Sequence, residues 1–383
     1  MISPRHLSVL FLAAGLSSAC STLDAINPFS SSAPKMAPLP VLTANADLGT
    51  AWTADAGKSG DYVFVPAVVG ESTYVAGAKG KLARYEGGKL VWQIDAGQPL
   101  SAGVGADARR VVVGTPKGDV LAFSVDEGRL LWTAKVSSEV LAAPAVGNEG
   151  VVVRSGDNQI FFLDAVDGTR KWVYQRATPA LSVRASGAPI LADRFVFSGF
   201  PGGKLLALSV QNGAPVWEGV VALPKGATEL DRVADVVAAP AIDGSQICAV
   251  AYQGRVVCFD MAQGGALMWS RDISSAAGLA LDHRYVFVSD DRGTVYALDR
   301  QTGSSLWKQD KLKGRQLSAP AVRQGRVAVA DREGYVHFLS REDGQFVARG
   351  KTDGSPVRAP ITLSGTRFVV QSTGGRVAAF EAQ

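Results

Sequence analysis

The sequence predicts an all-β protein: an eight-bladed β-propeller with four-stranded antiparallel blades, closed by an N-terminal strand. Three observations carry this. Tryptophan recurs at 52, 92, 132, 172, 217, 269 and 307, and most steps are close to forty residues. A fixed period of that size marks a repeat architecture. A glycine stands four places before every repeat position after the first: Gly88, Gly128, Gly168, Gly213, Gly265, Gly303 and Gly344. The last of these precedes Ala348, so one copy has lost its tryptophan. Between these marks, short β-branched and aromatic runs alternate with Gly/Asp turns, the pattern of strands joined as hairpins.

In several copies an Ala-Pro-Ala type segment comes first: Ala143-Pro144-Ala145, Ala239-Pro240-Ala241, Ala319-Pro320-Ala321 and Ala359-Pro360-Ile361. Small residues suit an innermost strand crowded near the axis. An alternating run follows, such as Arg326 to Ala330, then a turn such as Asp331-Arg332-Glu333-Gly334. A third run, Tyr335 to Leu339, leads to the second glycine turn and the tryptophan strand. Four strands in about forty residues make one propeller blade. The tryptophan is expected to fill the space between adjacent blades, where a large flat side chain gains most from burial. Trp52 marks an outer strand with no three strands of its own before it. The C-terminal copy, from about Ser355 to Phe380, has three strands and no fourth. The Trp52 strand is therefore expected to complete the last blade and remove the open edges.

Composition sets the outer limits. Of 383 residues, 47% are apolar and 19% charged, which excludes wholesale disorder. A net charge of +4 falls short of the basic stripe that a nucleic-acid partner requires. Three cysteines exclude a four-cysteine zinc site. Residues 1–19 read as an export signal: basic Arg5 and His6, an apolar run from Leu7 to Leu16, then small residues before Cys20. The run is too short to span a bilayer permanently. Leu16-Ser17-Ser18-Ala19-Cys20 resembles a bacterial lipobox, with Ser17 where that pattern prefers Leu. The resemblance implies a lipidated Cys20, and Ser21 in place of Asp implies the periplasmic face of the outer membrane. The alternative is a plain secretory signal in which Cys20 is incidental. Residues 20–47 are rich in Ser, Pro, Ala and Asn and read as a lipidated flexible tether. That leaves 48–383 for the propeller.

Ala297-Leu298-Asp299-Arg300-Gln301-Thr302-Gly303-Ser304-Ser305-Leu306-Trp307 resembles the tryptophan-docking motif of quinoprotein propellers, the quinone-cofactor alcohol and glucose dehydrogenases. Their chemistry needs calcium held by carboxylate and amide oxygens, plus a general base. Many of the alcohol dehydrogenases also carry a disulfide between adjacent cysteines. This chain has no Cys-Cys pair, and no calcium and base set can be assembled from it. No catalytic residue, cofactor or metal is therefore expected, and a periplasmic quinone-dependent dehydrogenase is the runner-up reading. The motif packs blades and says little about catalysis. A sugar- or cell-wall-binding propeller would need an aromatic cluster on one face, whereas the tryptophans here serve the repeat.

Lipobox, short tether and eight blades together resemble the BamB family, lipoproteins of the bacterial β-barrel assembly machinery. Leu181-Ser182-Val183-Arg184-Ala185-Ser186-Gly187-Ala188-Pro189 resembles the family's Leu-Ser-Leu-Arg-Gly-x-Ser-Ala-Pro segment. Thr228 to Val236 resembles its Glu-Ile-Asp-Arg-Leu-x-Asp-Val segment, and Asp331 to His337 its Asp-x-Glu-Gly-Tyr-hydrophobic-His hairpin. The resemblance implies a non-catalytic scaffold, working beside the other assembly-complex subunits on unfolded outer-membrane proteins. It would dock the barrel-folding subunit BamA through the POTRA repeats of that subunit. Carried over residue by residue, Leu181, Val183 and Arg184 match the first docking segment, and Asp235 an acidic position of the second. Two places on, where the family often has another acid, stands Val237. Two apolar side chains and an arginine on a loop have the composition of a hot spot. The insertion from Leu223 to Arg232 helps explain the longest step between tryptophans, and such loops tend to carry function. The competing reading makes Leu181 and Val183 inner-strand core, and Arg184 and Asp235 solvated charges or a local ion pair.

Cys248 and Cys258 fall on successive strands of one hairpin, Ile247 to Ala251 and Arg255 to Phe259. A three-residue loop would place them opposite each other, and a two-residue loop on opposite faces. Disulfide and buried free thiols both stay open. His283 and His337 have no partner at metal-ligand spacing and read as structural. Asp290, Asp291 and Asp299 sit at blade turns, where Asp is common for turn chemistry.

Overall fold

Seven consecutive four-strand repeats and one composite blade form a closed eight-bladed propeller in the computed structural model, which describes residues 36–42 and 48–381. Blades 1 to 7 each run from the axis outward in chain order. Blade 1 comprises Ala67–Val69, Ser72–Ala76, Lys81–Glu86 and Lys89–Asp95; blade 2 Ala102–Ala106, Arg110–Gly114, Asp119–Ser124 and Leu130–Lys135. Blade 3 comprises Ala145–Val146, Gly150–Arg154, Ile160–Asp164 and Arg170–Tyr174; blade 4 Ile190–Ala192, Phe195–Phe200, Lys204–Ser209 and Pro215–Val220. Blade 5 comprises Ala241–Asp243, Gln246–Val250, Val256–Asp260 and Ala266–Arg271; blade 6 Leu279–Leu281, Tyr285–Ser289, Val295–Asp299 and Ser305–Gln309. Blade 7 comprises Ala321–Arg323, Arg326–Ala330, Tyr335–Ser340 and Phe346–Lys351. Blade 8 has Thr362–Ser364, Arg367–Gln371 and Arg376–Glu381, and Gly49–Asp55 supplies its outer strand. The expected closure by the Trp52 strand is thus present.

The glycine and tryptophan periods are two halves of one interlock. In every outer strand one extra residue stands immediately before the repeat position, a β-bulge that re-aims the next side chain. The indole Nε1 then donates to a carbonyl of the next blade: Trp92 to Val125 at 2.8 Å, Trp132 to Ala165 at 3.2 Å, Trp172 to Val210 at 2.7 Å, Trp269 to Arg300 at 2.8 Å and Trp307 to Arg341 at 2.9 Å. The turn glycine three residues after each acceptor lies flat on the same indole. At Gly168, with φ +75°, a Cβ would stand 2.6 Å from the Trp132 ring. Only a residue without a side chain, free to adopt positive φ, fits there.

Three copies depart from this. Trp52 packs on Gly88, where an added Cβ would stand 2.4 Å from the Trp52 Cβ, but its indole makes no such carbonyl bond. The turn from Asp260 to Gly265 holds one residue more than its counterparts and winds into a short 3₁₀ turn, Met261–Gln263. Trp217 makes no such carbonyl bond and packs edge-on against Phe259, with ring centroids 5.0 Å apart. At Ala348, where the tryptophan is lost, Phe338, Phe368 and Phe380 fill the space with half-buried Leu48 against them.

The core is divided among the blade interfaces. One cluster joins Val112, Val120 and Trp132 of blade 2 to Val151, Val153 and Phe161 of blade 3. Each such side chain contributes about 1.5–3 kcal/mol on full burial. Blade 2 also gains a fifth strand that the repeat does not announce, Val63–Phe64, parallel to Ala102–Ala106. Cys248 and Cys258 stand directly opposite across a three-residue loop, with Cα atoms 4.1 Å apart, and form a disulfide.

The tether expectation needs correction over part of its length. Met36 to Leu42 lie against the ring, and the Ala37 amide donates to the Lys313 carbonyl at 2.9 Å. Composition hides this because the binding groups lie far along the chain, on blades 6 and 7 and the segment between them. Cys20, the signal and the rest of the tether lie outside the described residues. Among the described residues, no helix is long and apolar enough to cross a membrane.

Candidate docking surface

Two irregular segments flank blade 4: residues 175–189 before it and 221–240 after it. They meet at Asp235. This carboxylate is 2% exposed, and its two oxygens accept from the backbone amides of Val183, at 2.7 Å, and Gly202, at 2.9 Å. The Asp235 carbonyl in turn accepts from the Tyr252 amide at 2.8 Å. One buried residue therefore ties three places together: its carboxylate holds the first segment and the Gly202 turn of blade 4, and its carbonyl holds the hairpin loop of blade 5. Buried Arg154 lies within reach of its charge. Burial pushes the Arg154 guanidinium down to about 10, and Asp235 opposes that shift. A second clamp joins the segments at Gly187, whose amide donates to the Val237 carbonyl at 2.9 Å. A Cβ on Gly187 would stand 2.4 Å from that carbonyl oxygen, so the close approach requires glycine.

With its backbone fixed at Val183, the loop presents its neighbours outward. Leu181 is 45% exposed and Val183 half-buried. Neither lies in a strand, so the inner-strand alternative does not describe them. Arg184 reaches the segment between blades 2 and 3, where Nε and Nη2 donate to Glu139 at 3.1 and 2.6 Å. Its guanidinium stands 5.9 Å from the centroid of the Tyr62 ring. Hydrogen bonding to Glu139 raises the Arg184 pKa above its ordinary value, against the effect of partial burial. More than half of the arginine side chain still faces solvent.

The insertion adds two more exposed leucines, Leu223 at 54% and Leu230 at 70%. Its turn is internally braced: the Thr228 amide donates to Asp231, and the Asp231 amide to the Thr228 hydroxyl, each at 3.1 Å. Val237, where the resemblance would place an acid, is buried in the core. Glu139 and Tyr62 carry no sequence signal, because their partner Arg184 lies far away along the chain. Asp235 is read from sequence as a docking side chain, but its carboxylate faces the loop backbone. Its place in this surface is a positioning one.

The turn aspartates have local duties. Asp290 accepts from the amides of Arg292 and Thr294 at 2.9 and 2.7 Å, and Asp299 from those of Gln301 and Thr302 at 3.1 and 2.9 Å. Among the described residues, no group of three or more His, Cys, Asp or Glu is poised to hold a metal.

Fold and surface together define a propeller of quinoprotein-like repeats that presents a braced apolar and basic loop beside blade 4. Residues 78–309 and 302–383 match the family described as outer membrane protein assembly factor BamB. The BamB of Bordetella pertussis is 44% identical over 328 residues, covering 85% of each chain. The crystal structure of BamB from Moraxella catarrhalis superimposes with a TM-score of 0.82 at 30% identity, over 87% of this chain and 99% of that one. The quinohemoprotein alcohol dehydrogenase of Comamonas testosteroni gives a TM-score of 0.69 at 13% identity, over 88% of this chain and 76% of that one, a likeness of fold alone. The chain belongs to the BamB family of outer membrane protein assembly factors.

Proposed function

We propose that this chain is a non-catalytic scaffold of the outer-membrane β-barrel assembly complex, lipidated at Cys20 and held on the periplasmic face. It docks the barrel-folding subunit BamA, through the POTRA repeats of that subunit, with Leu181, Val183 and Arg184. Family membership supports the assembly role. The observation that carries the docking site is the exposure of Leu181 and Arg184 on a loop whose backbone is pinned by a buried carboxylate. Rigid presentation reduces the ordering cost of binding, and an apolar anchor beside an arginine is a common hot-spot pairing. The outer strands also expose Leu90 and Val91, Leu130 and Leu131, and Val216 and Val220 at blade edges. Such edges suit extended, unfolded outer-membrane chains, which can add as a further strand.

A photo-crosslinking amino acid in place of Leu181, in cells, tests the docking site. The expected product is a covalent adduct whose mass-spectrometric identity is BamA, absent when the crosslinker replaces Val41, on the seventh-blade side. Failure to trap BamA from position 181 would remove this surface from the interface.

A further inference from the structure

Blade 7 and the segment before it carry a second built site, away from the loops around blade 4. Arg315, 1% exposed, donates from Nε to Asp331 at 2.7 Å and from Nη2 to Glu333. Asp331 is fully buried and also bonds His337 Nε2 at 2.9 Å. His337 Nδ1 accepts from Arg349 Nε at 3.2 Å, which assigns the ring proton to Nε2. Arg315 then has one terminal nitrogen left, Nη1, and Arg349 has both of its own, Nη1 and Nη2. Arg315 Nη1 donates to the Ala37 carbonyl at 3.0 Å, and Arg349 Nη2 to the Pro40 carbonyl at 2.7 Å. The Ala37 amide returns a bond to the Lys313 carbonyl, and Leu42 packs on the cluster containing Trp307, Leu312 and Phe346. Pro38 and Pro40 have no amide proton to leave unpaired and restrict the free segment in advance.

We propose that Met36 to Leu42 is an intramolecular strap, and that Arg315, Asp331, His337 and Arg349 form its receptor: a site for a proline-bearing peptide recognised through its carbonyls. The consequence for the membrane rests on the lipidation of Cys20 proposed above. A chain free from 21 to 47 could reach at most about 95 Å, at roughly 3.5 Å per residue. Pinned at Met36, the stretch from 21 to 35 reaches at most about 50 Å. The strap roughly halves the distance at which the ring can stand from the bilayer, and the tether leaves the ring from blade 7.

The test uses the mature chain purified from membranes, with its acyl groups, in phosphatidylethanolamine–phosphatidylglycerol vesicles. Hydrogen exchange at the Ala37 amide should be slowed about 100-fold relative to a free peptide. Leu42→Asp, which alters only the strap, and Arg349→Gln should each abolish that protection while the amides of Tyr335–Ser340 keep theirs. Energy transfer from a dye on the ring to acceptors at the vesicle surface should then fall in both variants. An unprotected Ala37 amide in the unaltered chain overturns the strap. Lost protection with unchanged energy transfer overturns its control of reach. A chain that does not bind the vesicles contradicts the lipidation reading instead, and the exchange result still decides the strap.

Discussion

Asp235 shows how a single buried group can govern a surface it does not reach. Its two oxygens serve two backbone amides, Val183 and Gly202, and its charge faces buried Arg154. Asp235→Asn keeps the shape but offers one carbonyl oxygen where two acceptors are needed. Leaving one buried amide unpaired costs about 1–3 kcal/mol. Urea denaturation should show that loss, and binding of BamA should weaken although Leu181 and Arg184 are untouched. His337 gives a pH dependence of known sign. Burial holds its pKa below the ordinary value of 6.5, with the charges of Arg349 and Arg315 acting in the same direction and Asp331 opposing them. The unfolded chain therefore takes up the proton first. This contribution is complete above about pH 6.5 and is lost as pH falls toward the folded value, at up to about 1.4 kcal/mol per pH unit. Urea midpoints at pH 7.5 and 5.5 should drop more in the unaltered protein than in His337→Gln. At this scale Leu181, Val183 and Arg184, the residues proposed for docking, were matched to a family segment from local text. Glu139 and the inward aim of Asp235 could not be read that way, because both depend on contacts between distant stretches of chain.

Among elements, the unit of information is the blade interface. The glycine of one blade and the tryptophan of the blade before it occupy one packed contact, which is why both recur with one period. Gly168→Ala should cost about 2 kcal/mol or more, since a methyl group meets the Trp132 ring while the backbone stays at positive φ. Gly70→Ala provides the comparison. It has φ +59° but open space around its Cβ, so about 1 kcal/mol of backbone cost is expected. The difference between their melting shifts measures the interlock. Strands with this period, the closing strand included, were readable in the residues. The two-residue strand Val63–Phe64 and the strap were not. Neither has a repeat partner, and what holds each lies on another element.

At the scale of the molecule, the ring turns local copies into a platform with fixed geometry. Gly49–Asp55 pairs with Arg376–Glu381, so blade 8 gains its fourth, outer strand and the termini are joined within one blade. The segments around blade 4 are therefore held between neighbours on both sides, so the proposed docking loop would need little ordering on binding. The proposed function turns on this loop as the docking surface for BamA. Calorimetric titration of the purified chain with the POTRA region of BamA tests it most directly. Leu181→Ala combined with Arg184→Ala should weaken binding about 30-fold or more, as loss of a hot spot of about 2 kcal/mol requires, with melting unchanged. Equal affinity of the double variant and the unaltered protein would contradict it.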